Sequence, residues 1–161
     1  MASTSYAIAL GSNRRGRHGA PAATLRATLA VLKPVRLSAI RTTAALGPAG
    51  RAFANAVAIV ESDRDPDAMM ALLKALERAF GRRSGRRWGP RVLDLDIILW
   101  SEGAWAGPGP TVPHPSFRAR RFVLEPLAEI AADWRDPMSG RTVRQLLARL
   151  TAPRPGHRSA P

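Results

Sequence analysis

The sequence predicts an α+β fold: a ferredoxin-like βαββαβ core, with an antiparallel sheet and helices packed on one face, followed by a C-terminal hairpin and helices. Three observations carry this. Apolar β-type runs recur at 6–10, 53–61 and 92–100, and two stripes at helical spacing lie between them. A chain of 161 residues is also long enough for one self-sufficient core, since it buries roughly 70% of its unfolded surface.

Taken in order, Tyr6-Ala7-Ile8-Ala9-Leu10 reads as a strand ended by Gly11-Ser12-Asn13, and the basic, glycine-rich stretch to Ala20 reads as a loop. Pro21 at a first-turn position, with Leu25, Leu29 and Leu32 at helical spacing, predicts a helix that Pro34 closes. Val35 to Ala45 is β-compatible but irregular, and Gly47-Pro48-Ala49-Gly50 is a turn before the strand from Phe53 to Glu61. Asp65 as N-cap, Pro66 at N1, the stripe Met69, Leu72, Leu73, Leu76 and Phe80, and Gly81 as C-cap make the second helix. An arginine- and glycine-rich stretch then leads into a strand from Val92 to Trp100. Beyond it, Gly103 and Gly107 to Pro110 mark turns, and Phe117 to Ile130 is helical in pattern with a break expected at Pro126. Val143, Leu146, Leu147 and Leu150 predict a last short helix. Residues 1–151 thus read as a single domain and 152–161 as a mobile, proline-rich tail.

Composition narrows the function. No apolar stretch approaches the roughly 18–20 residues of a membrane span, and no signal or transit peptide is visible. There is no cysteine, which excludes disulfides and thiolate sites, and the expected compartment is the cytoplasm. The formal charge of +13 favours polyanionic partners. Lys33 and Lys74 are the only lysines among 25 basic residues, a skew that GC-rich codon usage explains as readily as phosphate recognition. Four Trp, four Phe and one Tyr, without aromatic-basic interleaving, argue against a base-stacking surface for nucleic acid.

Asp94-Leu95-Asp96 is the sharpest local feature. Strand side chains alternate, so the two carboxylates project together about 6–7 Å apart at Cα, while Leu93, Leu95 and Ile97 face a core. Two like charges on one face suit a hard cation such as Mg²⁺, or a pair of such ions. A bare Asp-x-Asp is more often the solvated face of a strand. Here, however, Arg82, Arg83, Arg86, Arg87 and Arg91 precede it directly, and guanidiniums beside metal-binding acids resemble a nucleotide phosphate site. Glu77 lies on the apolar side of its helix near the C-terminal end, where the macrodipole disfavours an anion. It calls for a compensating arginine or nucleotide hydroxyl, unless it simply reaches solvent. Asn55 shares a strand face with Phe53, Val57 and Ile59 and needs polar partners, either from a nitrogen-rich heterocycle or from neighbouring backbone. Val112-Pro113-His114-Pro115 holds a histidine rigidly, which suits a phosphate contact as well as a structural one, and Arg118, Arg120 and Arg121 follow.

The run Arg87-Trp88-Gly89-Pro90-Arg91-Val92-Leu93-Asp94-Leu95-Asp96-Ile97-Ile98 resembles the signature of the 6-hydroxymethyl-7,8-dihydropterin pyrophosphokinases of folate biosynthesis. Gly11-Ser12-Asn13, Leu46-Gly47-Pro48, Phe53-Ala54-Asn55-Ala56, the helix end from Glu77 to Arg82, Pro113-His114-Pro115 and Arg121-Phe122-Val123-Leu124-Glu125-Pro126-Leu127 follow in family order. The resemblance covers residues 5–150. It implies transfer of a pyrophosphoryl group from ATP to the pterin hydroxymethyl oxygen, with release of AMP. It further implies that Asp94 and Asp96 ligate two Mg²⁺ ions, that Asp96 also orients or deprotonates the hydroxyl, and that Arg82 and Arg91 stabilise the transferring charge. Glu77, Arg87, Trp88, Ile98 (through its backbone), Thr111, His114 and Arg120 match ATP-site positions. Phe53 and Phe122 match the aromatic pair that sandwiches the pterin, with Asn55 on its polar edge and the backbone near Thr43 and Leu46 completing the pocket.

Loops at 46–52 and 82–90 are then the segments expected to close over the substrates. Gly109 stands where many members carry a basic residue and Lys74 where a neutral amide is common, and the division of labour between Arg83 and Arg86 stays open. The implied partners are ATP and the pterin, without nucleic acid or membrane, and the implied state is a monomer. The alternatives are a basic ferredoxin-like module that binds nucleic acid without catalysis, and a regulatory pterin binder without turnover.

Overall fold

The computed structural model describes residues 2–43, 52–81 and 91–153. The expected turn at 47–50, the arginine-rich stretch 82–90 and all but the first two residues of the expected tail lie outside them. The chain forms β1 (Thr4–Ser12), α1 (Pro21–Leu32), β2 (Arg36–Leu37), β3 (Arg41–Thr43), β4 (Phe53–Ser62), α2 (Pro66–Ala79) and β5 (Asp94–Trp100). A small hairpin follows, β6 (Trp105–Ala106) with β7 (Thr111–Val112), then a 3-10 turn at Phe117–Ala119, α3 (Arg121–Ala131) and α4 (Val143–Thr151). No helix among the described residues is long and apolar enough to cross a membrane.

The result is an antiparallel sheet with helices. β1 is central, with β4 on one side and β5 on the other, and β2 and β3 both pair with the outer edge of β4. β1 is longer than its apolar run, because Thr4 pairs with Ser62 and Ser12 with Ala54. Ladder hydrogen bonds belong to the backbone, so a strand extends as far as its neighbours do.

Alternation along the strands splits the core in two. Tyr6, Ile8 and Leu10 of β1 face Leu25 and Leu29 of α1 and Met69 and Leu73 of α2, together with Leu95 and Ile97. Ala7, Val57, Ile59 and Ile98 face the other way, against Phe117, Leu124 and Leu127 around α3 and Val143 and Leu146 of α4. Helices therefore cover both faces of the sheet, α1 and α2 on one and the C-terminal pair on the other.

Helix ends follow the residue chemistry. Asp65 caps α2 by accepting the Ala68 N–H at 2.8 Å, with Pro66 next. The cap at its far end is Phe80, one residue before the glycine expected there, and Gly81 follows with φ +104°. The break expected at Pro126 falls at Arg120 instead, between the 3-10 turn and α3, and Pro126 sits inside a continuous helix. An interior proline costs about 3 kcal/mol. Burial of Val123, Leu124 and Leu127 at about 1.5–3 kcal/mol each outweighs it.

Two buried carboxylates join elements. Glu77, at the end of α2, is 0% exposed; its Oε1 accepts the Leu95 N–H at 2.8 Å, and Lys74 Nζ lies 3.3 Å from both of its oxygens. It therefore does not reach solvent as a snorkelling side chain would. Asp136, between α3 and α4, is also fully buried. It accepts from Arg118 Nε at 2.5 Å and Nη2 at 2.7 Å, from Ser139 Oγ at 2.7 Å and from the Met138 N–H at 3.0 Å. The Arg118 guanidinium, above all, holds the Asp136 carboxyl down at about 2.

Asp136→Ala removes the acceptor shared by Arg118, Ser139 and the Met138 N–H and is expected to cost about 1.5–3 kcal/mol in denaturant unfolding. Because the folded carboxyl titrates below its ordinary value, the unfolded chain binds the proton first. Its contribution is present above about pH 4 and is lost as pH falls toward about 2. An acid-unfolding profile identical in wild type and Asp136→Ala would contradict this. Glu77→Ala leaves the buried Leu95 N–H without that acceptor and should cost about 1–3 kcal/mol in the same assay, with Glu77→Gln costing less.

Candidate active site

The site grows out of one row across the sheet. Gly11 of β1 pairs with Asn55 of β4 on one side and Asp94 of β5 on the other, and Ala9 likewise lies between Val57 and Asp96. Directly opposed residues put their side chains on the same face. The two small residues make a low floor from which the amide and the carboxylates rise. A Cβ on Gly11 would already stand 3.3 Å from Asn55 Oδ1. This is the face that α3 and α4 cover elsewhere, and where they stop a cleft of about 650 Å³ opens. A void of about 110 Å³ adjoins it, lined by Ile98 and by several of the same residues, including Asn55, Asp94 and Asp96.

One end of the cleft is aromatic and amide-bearing, with Phe53, Asn55 and Thr43 from β3 and β4 and Phe122 from the first turn of α3. Phe53 is 45% and Phe122 52% exposed, large apolar surfaces left facing the opening. β3 and α3 are tied together by Arg41, whose guanidinium lies 2.7 Å from Glu125 and 3.4 Å from Glu129, and Arg121 also pairs with Glu125. The Arg120 guanidinium sits over the Phe122 ring, 5.8 Å from its centroid.

The other end is charged. Asp94 accepts from Arg91 Nη1 at 3.0 Å. Burial, and next the neighbouring Asp94 charge, raise the Asp96 carboxyl above its ordinary value, while His114 and Lys74 pull it back in part. His114 is shifted the other way: burial disfavours its cation, against the pull of Asp96. Its Nδ1 accepts the Ser116 N–H at 3.1 Å, so the neutral ring carries its proton on Nε2. The backbone N–H of His114 donates to the Ile98 carbonyl at 3.0 Å, which fixes the proline-flanked segment against β5.

Of the residues singled out in the sequence, the structure gathers Thr43, Phe53, Asn55, Arg91, Asp94, Asp96, His114, Arg120 and Phe122 around one cleft. Glu77 and Thr111 are not among the described residues that line it: Glu77 is buried and bonds to Leu95 and Lys74, and Thr111 lies in β7 on the small hairpin. The Ile98 carbonyl is already engaged by His114, and its side chain is buried. Leu46, Arg82, Arg83, Arg86, Arg87 and Trp88 lie outside the described residues.

Sequence reasoning attached no role to Gly11, Ser12, Asn13 or Lys74, yet all four line the cleft. The Gly-Ser-Asn at a strand end was the available signal for the first three. For Lys74, one helical turn before Glu77, the signal was its departure from the neutral amide common at that family position.

The donor set suits a hard divalent cation. Two half-buried carboxylates share one face, and each gains if a cation offsets the other. Among the described residues there is no cluster of three or more His, Cys, Asp or Glu able to hold a metal, so the remaining ligands would be water and substrate oxygens.

Residues 7–132 match the family model described as 7,8-dihydro-6-hydroxymethylpterin-pyrophosphokinase. The chain is 40% identical over 144 residues to the 2-amino-4-hydroxy-6-hydroxymethyldihydropteridine pyrophosphokinase of Pseudomonas aeruginosa, covering 88% of each. It is 39% identical over 121 residues to that of Synechocystis, covering 75% of this chain and 62% of the relative. Among solved structures, HPPK-DHPS of Plasmodium falciparum with pteroate matches the fold with a TM-score of 0.70 at 11% identity, over 92% of this chain and 43% of that one. The chain belongs to the 7,8-dihydro-6-hydroxymethylpterin-pyrophosphokinase family.

Proposed function

We propose that the protein transfers a pyrophosphoryl group from ATP to the hydroxymethyl oxygen of 6-hydroxymethyl-7,8-dihydropterin, releasing AMP, as a step of folate biosynthesis. The hydroxyl oxygen bonds to the β-phosphorus, the bond from that phosphorus to the α–β bridging oxygen breaks, and the hydroxyl proton leaves. The observation that carries this is the shared cleft, in which an exposed aromatic pair with an amide at one end faces a dicarboxylate flanked by Arg91, Arg120 and His114 at the other. The family match supports it.

Phe53 and Phe122 would sandwich the pterin, with Asn55 satisfying its polar edge and Thr43 bounding it. Leu46 belongs to the same pocket in this proposal. Asp94 and Asp96 would hold Mg²⁺, two ions in the form the family resemblance implies; when bound, the metal neutralises phosphate charge and aligns the oxygens. Asp96, whose carboxyl is raised by burial and by Asp94, is suited to orient the hydroxyl and accept its proton. Arg91 and Arg82 would stabilise the transferring charge, and Arg87, Trp88, His114 and Arg120 would hold the nucleotide. His114, whose cation burial disfavours and whose Nδ1 is engaged by the Ser116 N–H, would offer its Nε2–H as a hydrogen-bond donor. Glu77 would act on the nucleotide only indirectly, by fixing β5, while Thr111 and the Ile98 backbone would border the adenine. Catalysis is then positioning and electrostatics in a site that excludes water.

The strand order β5-β1-β4 with β2 and β3 outside supports classing the core as ferredoxin-like. The nucleic-acid alternative is disfavoured because α3 and α4 occupy the sheet face that such a module would keep open.

Asp94→Ala and Asp96→Ala should each lower AMP formation by about a hundred- to a thousandfold while the thermal transition stays intact, since each removes one of two repelling charges. Turnover at the wild-type level would sink the metal-site assignment. With ATP, Mg²⁺ and the pterin, wild type should yield AMP; ADP instead would indicate ordinary kinase chemistry. Phe53→Ala should raise the KM for the pterin by roughly three- to tenfold and leave that for ATP in place.

A further inference from the structure

Asn13 stands immediately past β1, where the chain leaves the sheet. Its Oδ1 accepts the Arg91 N–H at 2.6 Å, and its own N–H donates to the Arg91 carbonyl at 3.0 Å. One residue thus engages both backbone polar groups of another 78 positions away. Arg91 is where the chain returns to the sheet ahead of β5, and its guanidinium donates to Asp94 at 3.0 Å. The loop after Asn13 lies close along the same segment: a Cβ on Gly16 would come within 2.5 Å of Val92 Cγ1. Asn13 and Arg91 both line the cleft.

An arginine reaches its partner through a long side chain, and the placement of its fork depends on the backbone from which it springs. β5 begins only at Asp94, so no ladder of the sheet contains residue 91. The Asn13 clasp supplies what the ladder does not. A carboxamide suits this position because it accepts a hydrogen bond without adding a charge beside a phosphate site.

We infer that Asn13 is a positioning residue for the transfer, holding the Arg91 backbone so that the guanidinium stays against Asp94 at the charged end of the cleft. This rests on the function proposed above. Asn13 acts through Arg91, and its effect belongs to the chemical step rather than to pterin affinity.

The test is a double-mutant cycle on the full chain, read in single turnover as AMP formed from ATP, Mg²⁺ and the pterin. Asn13→Ala should slow the step by roughly ten- to a hundredfold and leave pterin affinity within about twofold. In an Arg91→Ala background the same substitution should cause no further loss. A merely structural role would instead lower the rate by the same factor in both backgrounds. That result, or an unchanged rate for Asn13→Ala, overturns the inference. Thermal melting accompanies each variant; if Asn13→Ala unfolds, the cycle is run with Asn13→Ser under the same criterion. A wild-type chain that forms no AMP overturns the proposed function and this inference with it, whereas an active wild type with additive losses overturns this inference alone.

Discussion

Two carboxylates spaced two residues apart on a strand share a face, and here that face is neither fully solvated nor fully enclosed. Asp94 and Asp96 stand half-buried in a cleft, where burial and the neighbouring Asp94 charge raise the cost of ionising Asp96. Such a pair persists only if the surrounding structure holds it and a cation or donor relieves it. Much of the neighbourhood follows from that demand. Arg91 pairs with Asp94, while His114 and Lys74 pull the Asp96 carboxyl back toward ionisation.

Holding the pair is the work of the elements around β5, a strand at the edge of its sheet. On one side it is bonded to β1; on the other, the Leu95 N–H is taken by Glu77 and the Ile98 carbonyl by the backbone of His114. Ahead of the strand, Asn13 grips Arg91. These contacts come from different parts of the chain, and together they leave the aspartate face aimed at the cleft. A buried carboxylate on the apolar side of α2 thus serves as an acceptor for an edge strand that would otherwise present an unpaired donor.

The opposite wall depends on α3 and α4. Their docking closes the sheet face over Val57 and Ile59 but stops short of Asn55 and Phe53, and the uncovered remainder is the aromatic end of the cleft. Arg118 and Asp136 lock the turn that carries Arg120 and Phe122 to the start of α3. From β3, Arg41 reaches the same helix through Glu125 and Glu129. The Phe53–Phe122 opening is therefore set from two directions, by the part-buried pair of Arg118 with Asp136 and by the more exposed pairs of Arg41.

The sequence alone determined what local periodicity and local chemistry determine. Alternation put Asp94 and Asp96 on one face with Leu95 and Ile97 on the other, Asp65 and Pro66 started α2, and a proline-flanked histidine was held rigidly. The ordered family motifs further named most of the residues that now share a cleft. What the tertiary structure decided are long-range partners that no spacing reveals: the Leu95 N–H for Glu77, Arg91 for Asn13 and Arg118 for Asp136. It also decided that α3 runs unbroken through Pro126, because burial against the sheet outweighs a local penalty. The physical reason is common to all of these: propensity and spacing act within a few residues, whereas satisfying a buried polar group or an apolar face depends on which distant segment the fold brings beside it.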